Sequence, residues 1–333
     1  MKDTPRVREF SEDQLIARIS QFLTILDDVK LGPGDDAALV SAPDGRFLVT
    51  SDVLLEERHF VREWISPADL GRRAMAQNFA DIAAMGARTT SVVVALTIPG
   101  DLPVSWLDDL AAGMGQYCAE SGASLVGGDL ARGEGISIAV TAMGSLDGAD
   151  PVLRSGARAG DVVVHAGKIG WGAAGFALLE AGTKASPKEI TQELISAHRV
   201  PQPPLKAGIA ARRAAATAML DVSDGLLRDG ARLAAASGVV LNFDPAALAA
   251  YEEVLRPAAK HLGLDARTWV LSGGEDHGLL ATFPPGASLP DAFTAVGQVL
   301  DITGEEQERP GHPGVLIAHQ PVQIPPGWDH FGG

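Results

Sequence analysis

The sequence contains a single cysteine, Cys118, in 333 residues, and aromatic side chains make up only 5% of it. One cysteine excludes an intrachain disulfide and a thiolate metal cluster. The surrounding segment, Met114–Ala119, has a helical pattern, so we expect Cys118 to be buried as a small apolar side chain. Hydrophobic residues reach 46% of the chain. A core built mainly from Ala, Val, Leu and Ile favours α/β layers over an aromatic-rich β-sandwich.

Basic residues are few, because 27 Lys and Arg stand against 42 Asp and Glu, giving a net charge of −15 and an isoelectric point near 4.9. This balance argues against a nucleic-acid backbone or an anionic membrane as the main partner, since both require basic patches. No apolar run reaches the roughly 18 residues of a membrane span. The charged segment Met1–Arg6 does not resemble a signal peptide. We therefore expect a cytoplasmic protein.

Common nucleotide-binding motifs are missing. The sequence has no G-x-x-x-x-G-K-[ST] and no H-R-D or D-F-G set, which excludes a Walker-type ATPase and a protein kinase. Gly170–Gly175 matches G-x-G-x-x-G and follows the predicted strand Asp161–His165. The acidic residue that a dinucleotide site needs about 20 residues later would be Glu193, inside the predicted helix Glu189–Ala197. The motif therefore favours a phosphate-binding turn, or simply a tight strand-to-helix turn, over a dinucleotide site.

Helical and strand patterns alternate along the whole chain, and the length predicts two domains at about 100–200 residues each. Gly148–Pro151 is the best boundary, so we predict α/β domains over 1–148 and 149–333 with a cleft between them. In the first domain, short strands Ala37–Val40 and Phe47–Thr50 are joined by a turn, and a loop at Gly127–Asp129 separates two other strands. In the second, the predicted strand Ala218–Val222 carries Asp221 and precedes Asp224.

Five separated acidic clusters are the most informative pattern. Each is predicted at the edge of an apolar segment, where a strand or helix ends and a carboxylate can point into a shared cleft. Aspartates gathered there repel one another unless hard cations lie between them, and the usual use of such a site is to hold several Mg²⁺ ions against a polyphosphate. Any single cluster is equally typical of turn or cap chemistry, but the combination predicts a phosphate-transfer enzyme. The clusters are Gly34–Ala38, Thr50–Asp52, Asn78–Asp81, Gly127–Asp129 and Asp221–Gly225.

Two residues outside the clusters have alternative interpretations. His59 follows Asp52 by a few positions and is either a surface residue or a phosphate contact. Trp328, near the chain end, either packs the terminus or stacks on a heteroaromatic cation.

Taken together, these motifs strongly resemble the thiamine-monophosphate kinase family, in the family's order and over residues 30–331. Some motifs are shared with the wider superfamily of aminoimidazole ribonucleotide synthetase and selenophosphate synthetase, whereas the full set with His59 and the terminal aromatic is specific. The motifs are the five clusters, Ser51–Phe60, Asn78–Ala87, Ser272–Asp276 and Gly327–Phe331.

The resemblance implies an aminoimidazole ribonucleotide synthetase-like fold, in which the strands of an N-terminal α/β domain form a barrel with a second subunit and a C-terminal α/β domain follows. It implies a homodimer that uses ATP to phosphorylate thiamine monophosphate to thiamine diphosphate with several Mg²⁺ ions, which Mn²⁺ can replace. No general base is implied, because the attacking phosphate oxygen is already a nucleophile at neutral pH. The implied metal ligands are Asp35, Thr50, Ser51, Asp52, Asp81, Asp129, Asp221 and Asp224. The implied ATP contacts are Gly128, Asp129, Arg154 and Ser223, and the implied substrate contacts are His59, Glu275 and Trp328.

The chain departs from the family pattern at three places. Ser51 stands where the family usually has Thr, and His277-Gly278 stand where members often have Tyr and Glu. Some members place an aromatic against the nucleotide where this chain has Leu110–Ala112. The alternative functions are another ATP-dependent synthetase of the superfamily and a non-catalytic thiamine-phosphate-binding or metal-binding protein. Selenophosphate synthesis is disfavoured because no cysteine precedes Asp35.

Overall fold

The structure is a computed structural model that describes residues 5–33, 37–182, 189–302, 314–324 and 327. The chain divides into two compact units, residues 1–82 with 87–149 and residues 83–86 with 150–333. Within the described residues, none of the helices has the length and apolar character that a membrane span needs. The α-helices are α1 (Glu12–Ser20), α2 (Pro67–Ala84), α3 (Val104–Ser121), α4 (Trp171–Glu180), α5 (Glu189–Arg199), α6 (Leu205–Arg213), α7 (Leu226–Ser237), α8 (Pro245–Leu262) and α9 (Ala266–Ser272). The strands are β1 (Val29–Leu31), β2 (Leu39–Val40), β3 (Leu48–Leu55), β4 (Arg88–Ile98), β5 (Ser124–Arg132), β6 (Ser137–Ser145), β7 (Val162–Ala166), β8 (Ala218–Val222), β9 (Val239–Phe243), β10 (Gly278–Phe283), β11 (Phe293–Asp301), β12 (Val315–Ile317) and β13 (Gln320–Pro321).

The first unit is a four-stranded sheet in the order β3-β6-β4-β5, antiparallel except for the parallel pair β4-β5. One face of the sheet is buried, with Leu54, Val94 and Val140 all less than 10% exposed. The opposite face keeps apolar side chains in the open, since Val49 is 61% and Val53 44% exposed. Because side chains alternate between the faces of a strand, this exposed apolar face follows directly from the sequence of β3.

The ends of the two long helices of this unit are defined by local sequence signals. Ser66 precedes Pro67 at the start of α2, and its Oγ accepts a hydrogen bond of 3.1 Å from the Asp69 amide. Proline suits the first helical position because its missing N–H has no helical partner there. Helix α3 ends at Gly122, whose φ of 77° is the left-handed conformation that glycine adopts without strain. Cys118 in α3 is 1% exposed, as predicted.

Two of the acidic clusters lie inside strands, and the prediction that they occupy element edges is wrong for them. Ser51 and Asp52 lie in the middle of β3 and Asp129 lies in β5, whereas Asp81 lies in the last turn of α2. The predicted loop at Gly127–Asp129 is instead strand, with an irregular register between Val92 and Val93 of the neighbouring β4.

Long-range pairing explains these differences. A Cβ at Gly128 would lie 2.0 Å from the Val94 carbonyl oxygen, so glycine is needed for β5 to pair with β4 at this point. Strand β3 continues past Asp52 because β6 pairs with it over its full length. The predicted strand Ala37–Val40 is shorter, and it pairs with β1 rather than with β3.

The second unit is a seven-stranded sheet in the order β13-β12-β9-β11-β7-β10-β8, antiparallel except for the pair β12-β9. A large apolar core covers one face, where α7, α8 and α9 contribute Leu233, Leu255 and Val270. A smaller core on the other face includes Ala207 and Ala211 of α6 and Val164 of β7. The predicted strand Ala218–Val222 is confirmed as β8.

Candidate active site

In the first unit, β3 and α2 hold the Thr50–Asp52 and Asn78–Asp81 clusters together. The Thr50 hydroxyl donates to Asp81 Oδ2 at 2.7 Å. The Asp52 amide donates to Asn78 Oδ1 at 3.1 Å, and the buried Asn78 side chain donates in turn to the Ala74 carbonyl at 3.0 Å. Asn78 thus fixes the backbone of β3 at Asp52, while the Asp52 side chain is exposed. Asn78 therefore supports the site structurally, a role that the sequence did not show.

Ser51 and Asp129 are placed apart from this contact. The Ser51 hydroxyl donates to the Val140 carbonyl at 3.0 Å and lies 3.1 Å from the Thr141 hydroxyl on β6. Asp129 is exposed on β5, at the other edge of the four-stranded sheet from β3. Three strand spacings of about 4.8 Å separate the two edge strands, or about 14 Å. The first unit therefore does not bring Asp129 beside Asp52.

A cavity of about 690 Å³ opens next to Asp129. Its wall combines Leu110, Ala111 and Met114 of α3 with Gly128 and Asp129 of β5. Aliphatic side chains beside a glycine and a carboxylate form a pocket with one apolar side and one polar side. This combination suits a flat heteroaromatic group that carries a charged substituent.

His59 lies just beyond β3 and its ring is fixed by the backbone. The Leu55 amide donates to His59 Nδ1 at 2.9 Å, which leaves the proton of the neutral ring on Nε2. The same turn is closed by a hydrogen bond of 2.8 Å from the Glu57 amide to the Phe60 carbonyl, with Glu57 at a φ of 63°. The half-buried His59 is thus oriented by the local fold rather than left mobile on the surface.

In the second unit, β8 ends at the Asp221–Gly225 cluster, as the sequence predicted. Asp221 is 6% exposed, and its Oδ2 lies 3.4 Å from Nδ1 of the buried His277. Gly225 has a φ of 112°, and a Cβ there would lie 2.8 Å from the Ser272 carbonyl oxygen. Glycine is therefore required for the chain to turn from β8 into α7.

Asp229 and Arg232 of α7 complete this turn, and no sequence motif pointed to either residue. Asp229 Oδ2 accepts the backbone amides of Ser223 at 3.0 Å and Asp224 at 2.8 Å. Arg232 Nη1 lies 2.7 Å from Asp224 Oδ2 and 2.6 Å from Asp229 Oδ1. Burial and, as a smaller cause, the nearby Asp221 carboxylate raise the pKa of Asp229 to about 7.

Asp276 occupies the backbone amides of the glycine motif. Gly170 donates to Asp276 Oδ2 at 2.5 Å and Gly172 donates to Oδ1 at 2.8 Å. Burial raises the pKa of Asp276 to about 7, although these two amide hydrogen bonds lower it. The amides that a phosphate would need are taken by a side chain of the same chain. Of the two interpretations left open by the sequence, the structure supports the tight strand-to-helix turn.

The turn that carries Glu275 and Asp276 lies against the end of β8. Glu275 and His277 have φ values of 72° and 53°, uncommon for residues with side chains. The Glu275 amide donates to the Ser223 carbonyl at 2.7 Å, and the His277 amide donates to the Val222 carbonyl at 3.0 Å. The half-buried Glu275 is thereby fixed beside Ser223.

The remaining predicted site residues differ in how far they are described. Arg154 is exposed, and its carbonyl accepts a hydrogen bond of 2.9 Å from Ser237 Oγ. Asp35 and Trp328 lie outside the described residues. Gly327 is described, and a Cβ on it would lie 2.0 Å from the Asp224 carbonyl oxygen, so the chain passes directly against the Asp224 backbone there.

The side chains proposed to bind metal offer only oxygen donors, which is the ligand chemistry that Mg²⁺ prefers. Within the described parts of the chain, no group of three or more His, Cys, Asp or Glu side chains converges closely enough to hold a metal ion. At Asp224, a guanidinium nitrogen already bridges two carboxylates. A cation thus suits this position. The carboxylate and hydroxyl oxygens of the proposed ligands are also the type of ligand that a hard divalent ion such as Mg²⁺ binds.

The sequence matches two family models, the AIR synthase related protein N-terminal domain over residues 34–146 and the C-terminal domain over residues 158–297. The thiamine-monophosphate kinase of Mycobacterium tuberculosis is 44% identical over 330 residues, which cover 99% of this chain and 94% of that protein. The chain belongs to the thiamine-monophosphate kinase family. The enzyme of the same name from Corynebacterium glutamicum is 42% identical and covers 92% of this chain and 91% of its own length.

Solved structures agree with this assignment. The thiamine-monophosphate kinase of Stenotrophomonas maltophilia is 28% identical with a TM-score of 0.76, and the match covers 96% of this chain and 99% of that one. AaThiL complexed with AMPPCP and TMP is 29% identical with the same TM-score of 0.76, over 98% of this chain and 99% of that one. The two-domain α/β fold predicted from the family resemblance is confirmed.

Proposed function

We propose that this protein transfers the γ-phosphoryl group of ATP to thiamine monophosphate, giving thiamine diphosphate. The observation that carries the proposal is the likeness over nearly the whole chain to thiamine-monophosphate kinases, one of them solved as a complex with AMPPCP and TMP. The acidic residues described above add a physical reason, because two anionic substrates react only where their charge is neutralised.

The cavity beside Gly128 is the proposed nucleotide site. The adenine would pack on Leu110, Ala111 and Met114, so the aliphatic wall of α3 takes the place of the aromatic contact that some family members use. Gly128 has no side chain to obstruct the phosphates, and Asp129 lies at the polar side of the cavity. Arg154 and Ser223 are further proposed contacts of the nucleotide.

Eight residues are the proposed metal ligands, and Mg²⁺, or Mn²⁺ in its place, would neutralise the negative charge that the transferring phosphoryl group and the ATP phosphates carry. The contact between Thr50 and Asp81 supports part of this set, because it brings a hydroxyl oxygen and a carboxylate oxygen, both suitable metal ligands, within 2.7 Å of each other. The proposed ligands are Asp35, Thr50, Ser51, Asp52, Asp81, Asp129, Asp221 and Asp224.

The protein's own contribution to the reaction would be positioning. The acceptor oxygen belongs to a phosphate and is nucleophilic at neutral pH, so no side chain needs to remove a proton. His59, Glu275 and Trp328 would hold thiamine monophosphate so that its phosphate oxygen lies in line with the bond that breaks. Holding two reactants in this way lowers the barrier by removing their freedom of motion before the reaction.

A homodimer is part of the proposal. The open face of the first sheet exposes Val49, Val53 and Leu55 by 61%, 44% and 39%, which is apolar surface that a partner would cover. Strands β3 and β5 are edge strands within this sheet. In the barrel that we propose, β3 of one subunit lies beside β5 of the other, and Asp129 of the partner subunit joins Asp52 in one active site.

Mixed dimers provide a direct test of a shared site. Asp52→Asn and Asp129→Asn subunits, each inactive alone, are co-expressed with different tags and the heterodimer is isolated. If the site is shared, one of its two sites contains both aspartates and activity returns. A heterodimer as inactive as the parents would place both aspartates in the same subunit's site.

The activity itself is tested by a coupled assay of ATP consumption with and without thiamine monophosphate, together with detection of thiamine diphosphate. We expect ATP consumption that depends on thiamine monophosphate and on Mg²⁺. Consumption that depends on a different acceptor would indicate another synthetase of the superfamily. Binding of thiamine monophosphate without any ATP consumption would indicate a non-catalytic binding protein.

A further inference from the structure

Asp229 and Arg232 lie one helical turn apart on α7 and both contact the Asp224 turn. Asp229 has a side chain only 2% exposed, whereas the side chain of Arg232 is 40% exposed. Neither residue belongs to the proposed metal, nucleotide or substrate contacts. Their geometry nevertheless ties them to Asp224 through its backbone and its carboxylate.

Asp229 controls the backbone of the turn. A single oxygen, Oδ2, accepts the amides of both Ser223 and Asp224. Two amides that converge on one buried oxygen fix the orientation of the peptide planes at both residues. The direction in which the Ser223 and Asp224 side chains leave the backbone therefore depends on Asp229.

Arg232 controls the charge at the same place. Its Nη1 donates to Asp224 Oδ2 at 2.7 Å and to Asp229 Oδ1 at 2.6 Å, so one nitrogen serves two carboxylates. The partly exposed guanidinium is able to move into solvent, because exposed ion pairs are weak. Asp229, in contrast, is held in place by the backbone.

We propose that Asp229 and Arg232 are positioning residues for Asp224, in which Asp229 fixes the turn and Arg232 is a built-in counter-cation that a divalent metal ion displaces from the Asp224 carboxylate. The inference rests on the proposed function, since it takes Asp224 as a metal ligand. The Arg232–Asp224 ion pair must break before the metal binds. Arg232 therefore weakens metal binding while it stabilises the metal-free turn.

The first experiment measures metal binding directly. Mn²⁺ is titrated into the nucleotide-free protein at constant ionic strength, and the free ion is followed by electron paramagnetic resonance. We expect Arg232→Gln to lower the half-saturating Mn²⁺ concentration by about two- to fivefold, the size of a partly exposed ion pair. Arg232→Lys keeps the charge and should stay near the wild-type value.

Arg267→Gln is the matched control. Arg267 is 37% exposed and pairs with Glu252 at 3.2 Å, between α9 and α8 rather than at the turn. We expect this variant to bind Mn²⁺ as the wild type does. An unchanged or raised half-saturating concentration in Arg232→Gln overturns the counter-cation role. Because the titration needs no turnover, its result is separate from the kinase assay, whose failure would affect the proposed function alone.

The second experiment tests Asp229 by hydrogen exchange and mass spectrometry of the peptide over residues 219–226. In Asp229→Asn, an NH₂ group replaces the oxygen that accepts from Arg232, so two hydrogen-bond donors face each other. The remaining side-chain oxygen is then no longer held against the Ser223 and Asp224 amides. We expect the amides of Ser223 and Asp224 to exchange about tenfold faster or more. Asp161→Asn, which removes another buried carboxylate that accepts a backbone amide at 3.0 Å, should leave this peptide unchanged. Equal exchange in the wild type and Asp229→Asn overturns the positioning role.

Discussion

The two units hold their acidic residues in opposite ways. In the first unit, Asp52 and Asp129 are exposed on the two edge strands of an open sheet. In the second, Asp229 and Asp276 are buried and each accepts two backbone amides. Asp52 and Asp129 are therefore exposed to solvent, whereas Asp229 and Asp276 maintain the local fold.

This difference predicts which changes separate activity from stability. Removing an exposed carboxylate relieves repulsion and leaves the core unchanged, so it should affect the reaction alone. Removing a buried carboxylate leaves backbone donors without an acceptor, which costs about 1–3 kcal/mol of stability. The first unit should thus show functional effects and the second should show both.

The largest expected effect is that of Asp52→Asn. We expect turnover to fall by a factor of about 10³ or more, because a charged metal ligand is lost from the proposed site. The melting temperature of the metal-free protein should stay the same or rise slightly. The exposed Asp101, replaced by Asn, is the control and should change neither quantity. Near wild-type turnover in Asp52→Asn would remove Asp52 from the metal site.

The next effect concerns the open sheet face. We expect Val53→Asp to weaken the proposed homodimer by about 100-fold, because the dimer would bury an unpaired charge. Analytical ultracentrifugation at micromolar concentration measures the change. Val254→Asp on α8 is matched in exposure, at 42% against 44%, and should leave the dimer intact. A wild-type protein that sediments as a stable 34.6 kDa species would contradict the dimer itself.

Asp276→Asn breaks the enclosed carboxylate of the second unit. Gly170 and Gly172 donate to different oxygens of Asp276, so in the variant one amide faces an NH₂ group. We expect the free energy of unfolding to fall by about 1–3 kcal/mol near pH 5. Urea unfolding of the metal-free protein measures it.

The pH dependence sharpens this prediction. Since the pKa of Asp276 is raised from 3.8 to about 7 in the folded protein, the unfolded state releases its proton first as the pH rises. The wild type should lose stability through this group between about pH 4 and pH 7, by at most about 1.4 kcal/mol per pH unit. Asp276→Asn does not lose stability in this way. The difference in free energy of unfolding between the variant and the wild type should therefore shrink toward pH 8. Because the pKa of Asp229 is also about 7, the free energy of unfolding of the variant should still fall with pH, but less steeply than that of the wild type. A deficit that grows with pH would contradict the raised pKa.

The sequence predicted the second unit's part of the candidate site more closely than the first unit's. Strand β8, Asp221 and Asp224 form one local segment, in which a buried run is followed by Asp and Gly, and local signals suffice to predict it. In β3 and β5 the same kinds of residue lie inside strands, because their neighbours in the sheet extend the pairing. Such pairing joins residues far apart in the chain, which short patterns do not show.

The roles of Asp229 and Asp276 could not be predicted from the sequence for a different reason. Asp276 belongs to the Ser272–Asp276 motif and Asp229 to none, but the function of both lies in the backbone amides that they accept. The neighbouring residues in the sequence do not distinguish an aspartate in an exposed helical turn from one that is buried. Only the folded arrangement of α4, β8 and α7 shows that these two carboxylates support the turns.

The smallest expected effect is that of Trp328→Ala, at the chain end beyond Gly327. Gly327, which precedes Trp328 in the sequence, lies against the Asp224 carbonyl of the second unit. The thiazolium of thiamine is permanently cationic, and an aromatic face attracts such a cation by about 0.5–2 kcal/mol. We therefore expect the KM for thiamine monophosphate to rise by about tenfold at most, with the KM for ATP unchanged. Trp328→Phe keeps an aromatic face and should recover most of the affinity. If both KM values change equally, or only the melting temperature falls, Trp328 packs the terminus and does not contact the substrate.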